Sequence, residues 1–157
     1  MNVVKQQSNL QHIWTILCSS SSIDQSTNNI SLYNIIEQIA VKKPPMDNPG
    51  PTPSAVNIQV ELITLWKKML EGTSVEGEQK VDFIDPEDTV LHSHTSKIFI
   101  PEKLRRLRSR NKISGLKFTI DGEYAFRVSV REGVEQEFRV VFELPLQVLI
   151  DSQKPGT

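Results

Sequence analysis

Apolar side chains fall on every second position through most of the chain after residue 55, and no other feature constrains the fold as much. Val56, Ile58, Val60 and Leu62 alternate with Asn57, Gln59 and Glu61. Successive side chains of an extended strand point to opposite faces, so such a run has one apolar face and one wet face. Tyr124, Phe126, Val128 and Val130 repeat the pattern around Ala125, Arg127 and Ser129. Phe138, Val140, Phe142 and Leu144 repeat it again, and the run extends through Leu146, Val148 and Ile150. Pro145 brings no amide hydrogen to a ladder, so it requires a bend or an edge position there. Shorter strand candidates lie at 13–18, 81–84, 97–100 and 116–120.

The residues between these runs are those that turn a chain. Asp121-Gly122 separates two alternating runs and predicts a two-residue hairpin. A second hairpin is predicted at 131–134, around Gly133. Asp85-Pro86-Glu87-Asp88 fits a type I turn, with Pro86 supplying the preset φ. Short strands spaced this regularly point to an all-β fold, a sandwich or small barrel, with about seven to nine strands.

Two segments resist the alternation. Leu32, Ile35, Ile36 and Ile39 follow helical spacing, although a strand bent by a bulge at Asn34 exposes the same set. Pro101-Glu102-Lys103, with Leu104 and Leu107 on one side, predicts one short helix near 101–110. Residues 42–54 hold Pro44, Pro45, Pro49, Pro51 and Pro53 and read as an extended connector. The forty or so residues before it cannot bury a core alone. Residues 10–150 are therefore expected to form one domain that includes the connector, with 1–9 and 151–157 as flexible ends.

Composition closes several functional classes. A chain of 157 residues with 38% apolar and 24% charged residues suits one globular unit. Eighteen cations against nineteen anions, a net charge of −1, exclude a uniformly basic nucleic-acid binder. With Cys18 as the sole cysteine, neither an intramolecular disulfide nor a multi-cysteine metal knuckle can form. No apolar run approaches the ~18 residues of a membrane helix. The patch Ile13, Trp14, Ile16, Leu17 and Cys18 is shorter than a signal-peptide core of about 7–15 apolar residues, so Cys18 reads as a core residue on a strand. A cytoplasmic location is expected.

The order of these features resembles an uncharacterised bacterial family of small β-sandwich domains. The features that carry the likeness begin with the strand 13–18 ending in Cys18, a polar stretch, and the segment 30–39. They continue with the alternating strand 56–65, then Asp82-Phe83-Ile84-Asp85-Pro86. Leu116-Lys117-Phe118, Gly122-Glu123-Tyr124 and Phe126-Arg127-Val128 complete the set. Ser19 and the long proline-rich connector depart from the family pattern. The resemblance implies an immunoglobulin-like or C2-like antiparallel β-sandwich and brings no catalytic residues with it.

Charge is unevenly placed. Residues 101–112 carry +5 and the rest of the chain −6. Arg105, Arg106, Arg108 and Arg110 are candidate anion-binding residues for nucleic acid, lipid headgroups or another anionic surface. The plainer reading is a solvated face paired with nearby carboxylates. No aromatic residue interrupts this run to stack on a base. His92 and His94 share a strand face and are weak metal candidates, with Asp85, Glu87 or Asp88 as possible oxygen ligands. Exposed edge-strand histidines explain the spacing more simply. The serine run Ser19 to Ser22 lacks a nucleophile elbow, and no phosphate-cradling glycine loop occurs. The sequence thus points to a non-catalytic structural or protein-interaction module without a cofactor. Such a module meets a protein partner by surface complementarity or edge-strand pairing. The alternatives are anion binding through 103–112 and a small metal-dependent hydrolase around His92 and His94.

Overall fold

The alternating run near residue 60 is β4 (Ser54–Lys68), and its inward side chains Val60, Leu62 and Trp66 are buried. The computed structural model describes residues 8–42 and 54–151, so nearly all of the proline-rich connector and most of both predicted flexible ends lie outside the described residues. β4 pairs antiparallel with β1 (Leu10–Ile23) on one side and β7 (Arg106–Phe118) on the other, and β2 (Ile30–Ile35) adds to β1. A second sheet holds, in order, β3 (Gln38–Lys42), β9 (Arg139–Asp151), β8 (Gly122–Arg131), β5 (Val75–Ile84) and β6 (Val90–Ile100). The two sheets pack as a β-sandwich, with nine strands among the described residues. β3 runs parallel to β9, a departure from the all-antiparallel expectation. Pro145 lies in β9 just before β3 begins to pair at Gln147, so it occupies a locally free edge.

Side chains from both sheets interlock over the core. Leu17, Leu62, Leu116 and Phe118 of the first sheet meet Val81, Phe83, Tyr124 and Phe126 of the second. Phe118 stands edge-on to Phe83 at 6.1 Å and to Tyr124 at 5.3 Å, and Phe83 stacks on Phe126 at 4.8 Å. A second cluster surrounds Trp66, with Leu10, Val75, Ile98, Ile100 and Val128. There the Trp66 indole N–H donates to Gln79 Oε1 at 2.7 Å, and the Ser109 hydroxyl donates to the same oxygen at 2.7 Å. These two bonds satisfy the buried amide's oxygen, while its Nε2 has no hydrogen-bond partner among the described residues.

Two sequence expectations change, and the choice left open at 32–39 falls to the strand bent at Asn34. Asp121-Gly122 is no hairpin: β7 and β8 belong to different sheets, and the dipeptide carries the chain across. Gly122 has φ +140°, and a Cβ there would lie 2.8 Å from Pro86 Cγ, so glycine serves a close crossing. The Tyr124 hydroxyl fastens that crossing by donating to the Ile120 carbonyl at 2.9 Å and accepting from the amides of Thr119 and Ile120. The helix near 101–110 does not form. Residues 101–105 make a turn closed by Leu104 N–H to the Pro101 carbonyl, and β7 begins at Arg106. The buried Lys68 ammonium takes the Pro101 and Glu102 carbonyls at 3.0 and 2.9 Å, acceptors that a helix would have used. The helical spacing at 32–39 is also not a helix. Asn34 has φ +54°, and the chain leaves β2 for β3 in the other sheet, which shifts the apolar phase.

The hairpin expected at 131–134 does join neighbouring strands β8 and β9. The turn after β5 closes through Asp88 N–H to the Asp85 carbonyl, while the Asp85 carboxylate accepts from the amides of Glu87 and Thr89.

His12 of β1 stacks on Phe142 at 4.9 Å, meets Trp66 edge-on, and shares a 2.7 Å hydrogen bond with the Thr15 hydroxyl. Burial pushes its pKa below the ordinary imidazole value. The unfolded chain then takes up a proton near pH ~6.5 while the folded chain resists it. Stability contributed by neutral His12 is complete above that pH and declines as the pH falls below it. Urea unfolding from about pH 8 to about pH 5 is expected to show this decline, and His12→Phe to flatten it. Tyr124→Phe is expected to cost about 1–2 kcal/mol in the same assay, because it strips the crossing of its acceptor and donor.

Candidate binding cleft

β6 and β7 are edge strands of facing sheets, and between them the sandwich stands open. On β6 the alternation that buries Ile98 and Ile100 also turns His94 and His92 toward the gap, opposite Val81 and Phe83 in register. On β7 the half-buried series Leu107, Ser109, Asn111 and Ile113 changes phase at Gly115, whose φ is +71°. Leu116 and Phe118 then point inward. A cleft of about 640 Å³ results.

Val81, Phe83, Phe126 and Leu116 line its apolar part, and His92 and His94 stand along β6. β7 contributes every residue from Arg110 to Lys117, so the cleft follows the strand's free edge. Its charged lining residues are Arg110, Lys112 and Lys117, and no carboxylate is among them. Lys112 and Lys117 form no ion pair with a described residue. The Asn111 Nδ2 group is buried without a hydrogen-bond partner among the described residues, an uncommon state for a buried donor.

The strand geometry separates the arginines that the sequence grouped. Arg106, Arg108, Arg110 and Lys112 share one face of β7 at two-residue intervals, about 6.6 Å apart. Arg105 precedes the strand and pairs with Glu71. Arg108 donates to the backbone carbonyl and side chain of Asn28 at 2.7 and 2.8 Å. Arg110 lies 3.4 Å from the buried Glu61. Burial alone would raise the Glu61 pKa, but the Ser21 hydroxyl and the Arg110 guanidinium outweigh it and hold the carboxyl below its ordinary value. Of the four candidate arginines, Arg110 is the one that lines the cleft.

His92 and His94 both line the cleft. The lining supplies these two imidazoles and no carboxylate or thiol, whereas a catalytic zinc site uses three protein ligands. No group of three or more His, Cys, Asp or Glu suited to a metal occurs among the described residues. The serine run lies on β1 and is engaged in structure: Ser19 accepts from the Asn34 amide, and Ser22 bonds the Tyr33 hydroxyl. Asp24 accepts from the Ser26 hydroxyl and the Ser26 and Thr27 amides, which lower its pKa to about 2. It caps a turn. Sequence reasoning missed Asn111, Phe83 and Phe126 as site residues, because only the pairing order of the strands reveals which edges stay uncovered.

Cys18 is buried on β1, opposite Glu61 in register. Burial, reinforced by the Glu61 charge, pushes its thiol pKa up, which disfavours the nucleophilic thiolate. Its alkylation by a maleimide is expected to wait for unfolding. Glu61→Ala removes the partner of both Ser21 and Arg110; it should lower the unfolding free energy by about 1–3 kcal/mol and speed that alkylation.

Comparison with known proteins adds the fold. No family model matches the chain, and no curated protein matches it. Among solved structures, the C-terminal domain of wzt is similar, with a TM-score of 0.56 and 8% identity over 96% of this chain and 79% of that one. At that identity the likeness shows a shared β-sandwich and nothing about activity. Among the described residues, no helix is long and apolar enough to cross a membrane.

Proposed function

We propose that this chain is a non-catalytic protein-interaction module that receives an extended segment of a partner along the free edge of β7. The observation that carries the reading is the cleft itself, about 640 Å³ bounded on one side by residues 110–117 of an edge strand. An edge strand presents unpaired N–H and C=O groups, and an added strand satisfies them while its alternate side chains enter neighbouring pockets. Here the side chains on one face of such a strand meet Val81, Phe83 and Phe126. The volume falls within the range of known ligand pockets. Among the described residues the cleft offers neither an activated nucleophile nor a third metal ligand, and this favours binding over chemistry.

Amide hydrogen exchange tests the reading directly. A ten-residue peptide alternating valine with serine, added in excess, is expected to slow exchange within residues 110–117 above all other segments. N-methylation of every second peptide nitrogen, on the side facing β7, should remove the protection. Binding that leaves the β7 amides unchanged would overturn strand addition.

A further inference from the structure

Resting on the strand-addition reading, we infer that the segment received by β7 is acidic and belongs to a different protein, not to a second copy of this chain. The first argument is charge complementarity. Every charged residue lining the cleft among the described residues is a cation, and two of these, Lys112 and Lys117, are not ion-paired with a described residue. An ammonium group donates hydrogens and accepts none, so carboxylates satisfy Lys112 and Lys117 where other cations cannot.

The second argument removes the simplest competitor. Strand pairing between copies would use one of the edges left free among the described residues, which are β2, β3, β6 and β7. Their sequences, ISLYNI, QIAVK, VLHSHTSKIFI and RLRSRNKISGLKF, contain no aspartate or glutamate. Two β7 edges brought together would oppose Arg and Lys against Arg and Lys. Like charges directly opposite one another on paired strands destabilise the pairing. Cations on an exposed edge are a known device against self-association. Here the same cations leave the edge open to a strand of opposite sign. The apolar lining adds a second requirement: the acidic residues alternate with apolar ones, which reach Val81, Phe83 and Phe126.

Three ten-residue peptides separate the possibilities: valine alternating with glutamate, with serine, and with lysine. Titration of the whole chain at low ionic strength is expected to rank them glutamate over serine over lysine, with about a tenfold gain for glutamate over serine. Added salt should shrink that gain, because exposed charge pairs are screened. The double variant Lys112→Glu, Lys117→Glu should reverse the ranking of the glutamate and lysine peptides. A far-ultraviolet spectrum matching the parent confirms that the variant is folded. Equal binding of all three peptides with β7 amide protection would overturn the acidic specificity and leave strand addition standing. Failure of every peptide to protect β7 would overturn both. Self-association of the chain that blocks the glutamate peptide would make a second copy the occupant and also overturn the inference, as would octanoate binding in the cleft where no peptide binds.

Discussion

The contact of Phe118 with Phe83 and Tyr124 joins one sheet to the other, and the rest of the sandwich is arranged around it. Each ring is buried, and burying an aromatic side chain contributes about 1.5–3 kcal/mol before packing geometry is counted. At the other end, Trp66, Gln79 and Ser109 bind the sheets through a shared amide oxygen. Between these two attachments β6 and β7 meet over a smaller inward surface, with histidines and Asn111 where Phe and Leu stand elsewhere. The cleft is therefore a product of how the core is pinned. Phe83 serves both purposes, because it packs on Phe118 and also lines the opening.

Charge placement follows the same frame. The +5 segment of the sequence becomes a turn and a strand, and the strand spreads its cations along one face. Glu71, Asn28 and Glu61 engage Arg105, Arg108 and Arg110 in turn. The cations beyond Arg110 flank the cleft, and no carboxylate occurs on any edge strand. An edge so charged resists its own kind while remaining available to an opposite charge.

Much of the fold was legible in particular residues. Val60, Leu62, Tyr124, Phe126, Val128, Leu146 and Val148 alternate in the sequence and are buried in the structure. Asp85 and the segment around Gly133 turn the chain where local chemistry says they should. Asp121-Gly122 misled because a tight turn residue serves a sheet-to-sheet crossing as well as a hairpin, and the choice depended on Pro86 and Tyr124. Residues 101–110 resembled a helix because Pro101 suits a first turn and Leu104 and Leu107 share a helical face, whereas β4 supplies strand partners from Arg106 onward. Of the site, the sequence singled out His92, His94 and Arg110, while Asn111, Phe83 and Phe126 looked like ordinary strand residues.

The sequence by itself determined that the chain is built of strands, that most of the alternating apolar side chains enter the core, and that Cys18 belongs with them, although Val140 of the last run is exposed beside a bulge. Those properties depend on side-chain period, which a linear pattern records. Only the tertiary structure decided that β3 lies parallel to β9, that β7 and β8 belong to different sheets, and that β6 and β7 are the edges facing one another. Strand order is set by contacts between residues far apart in the chain, such as Phe118 with Phe83, and alternation is the same whichever neighbour a strand finds.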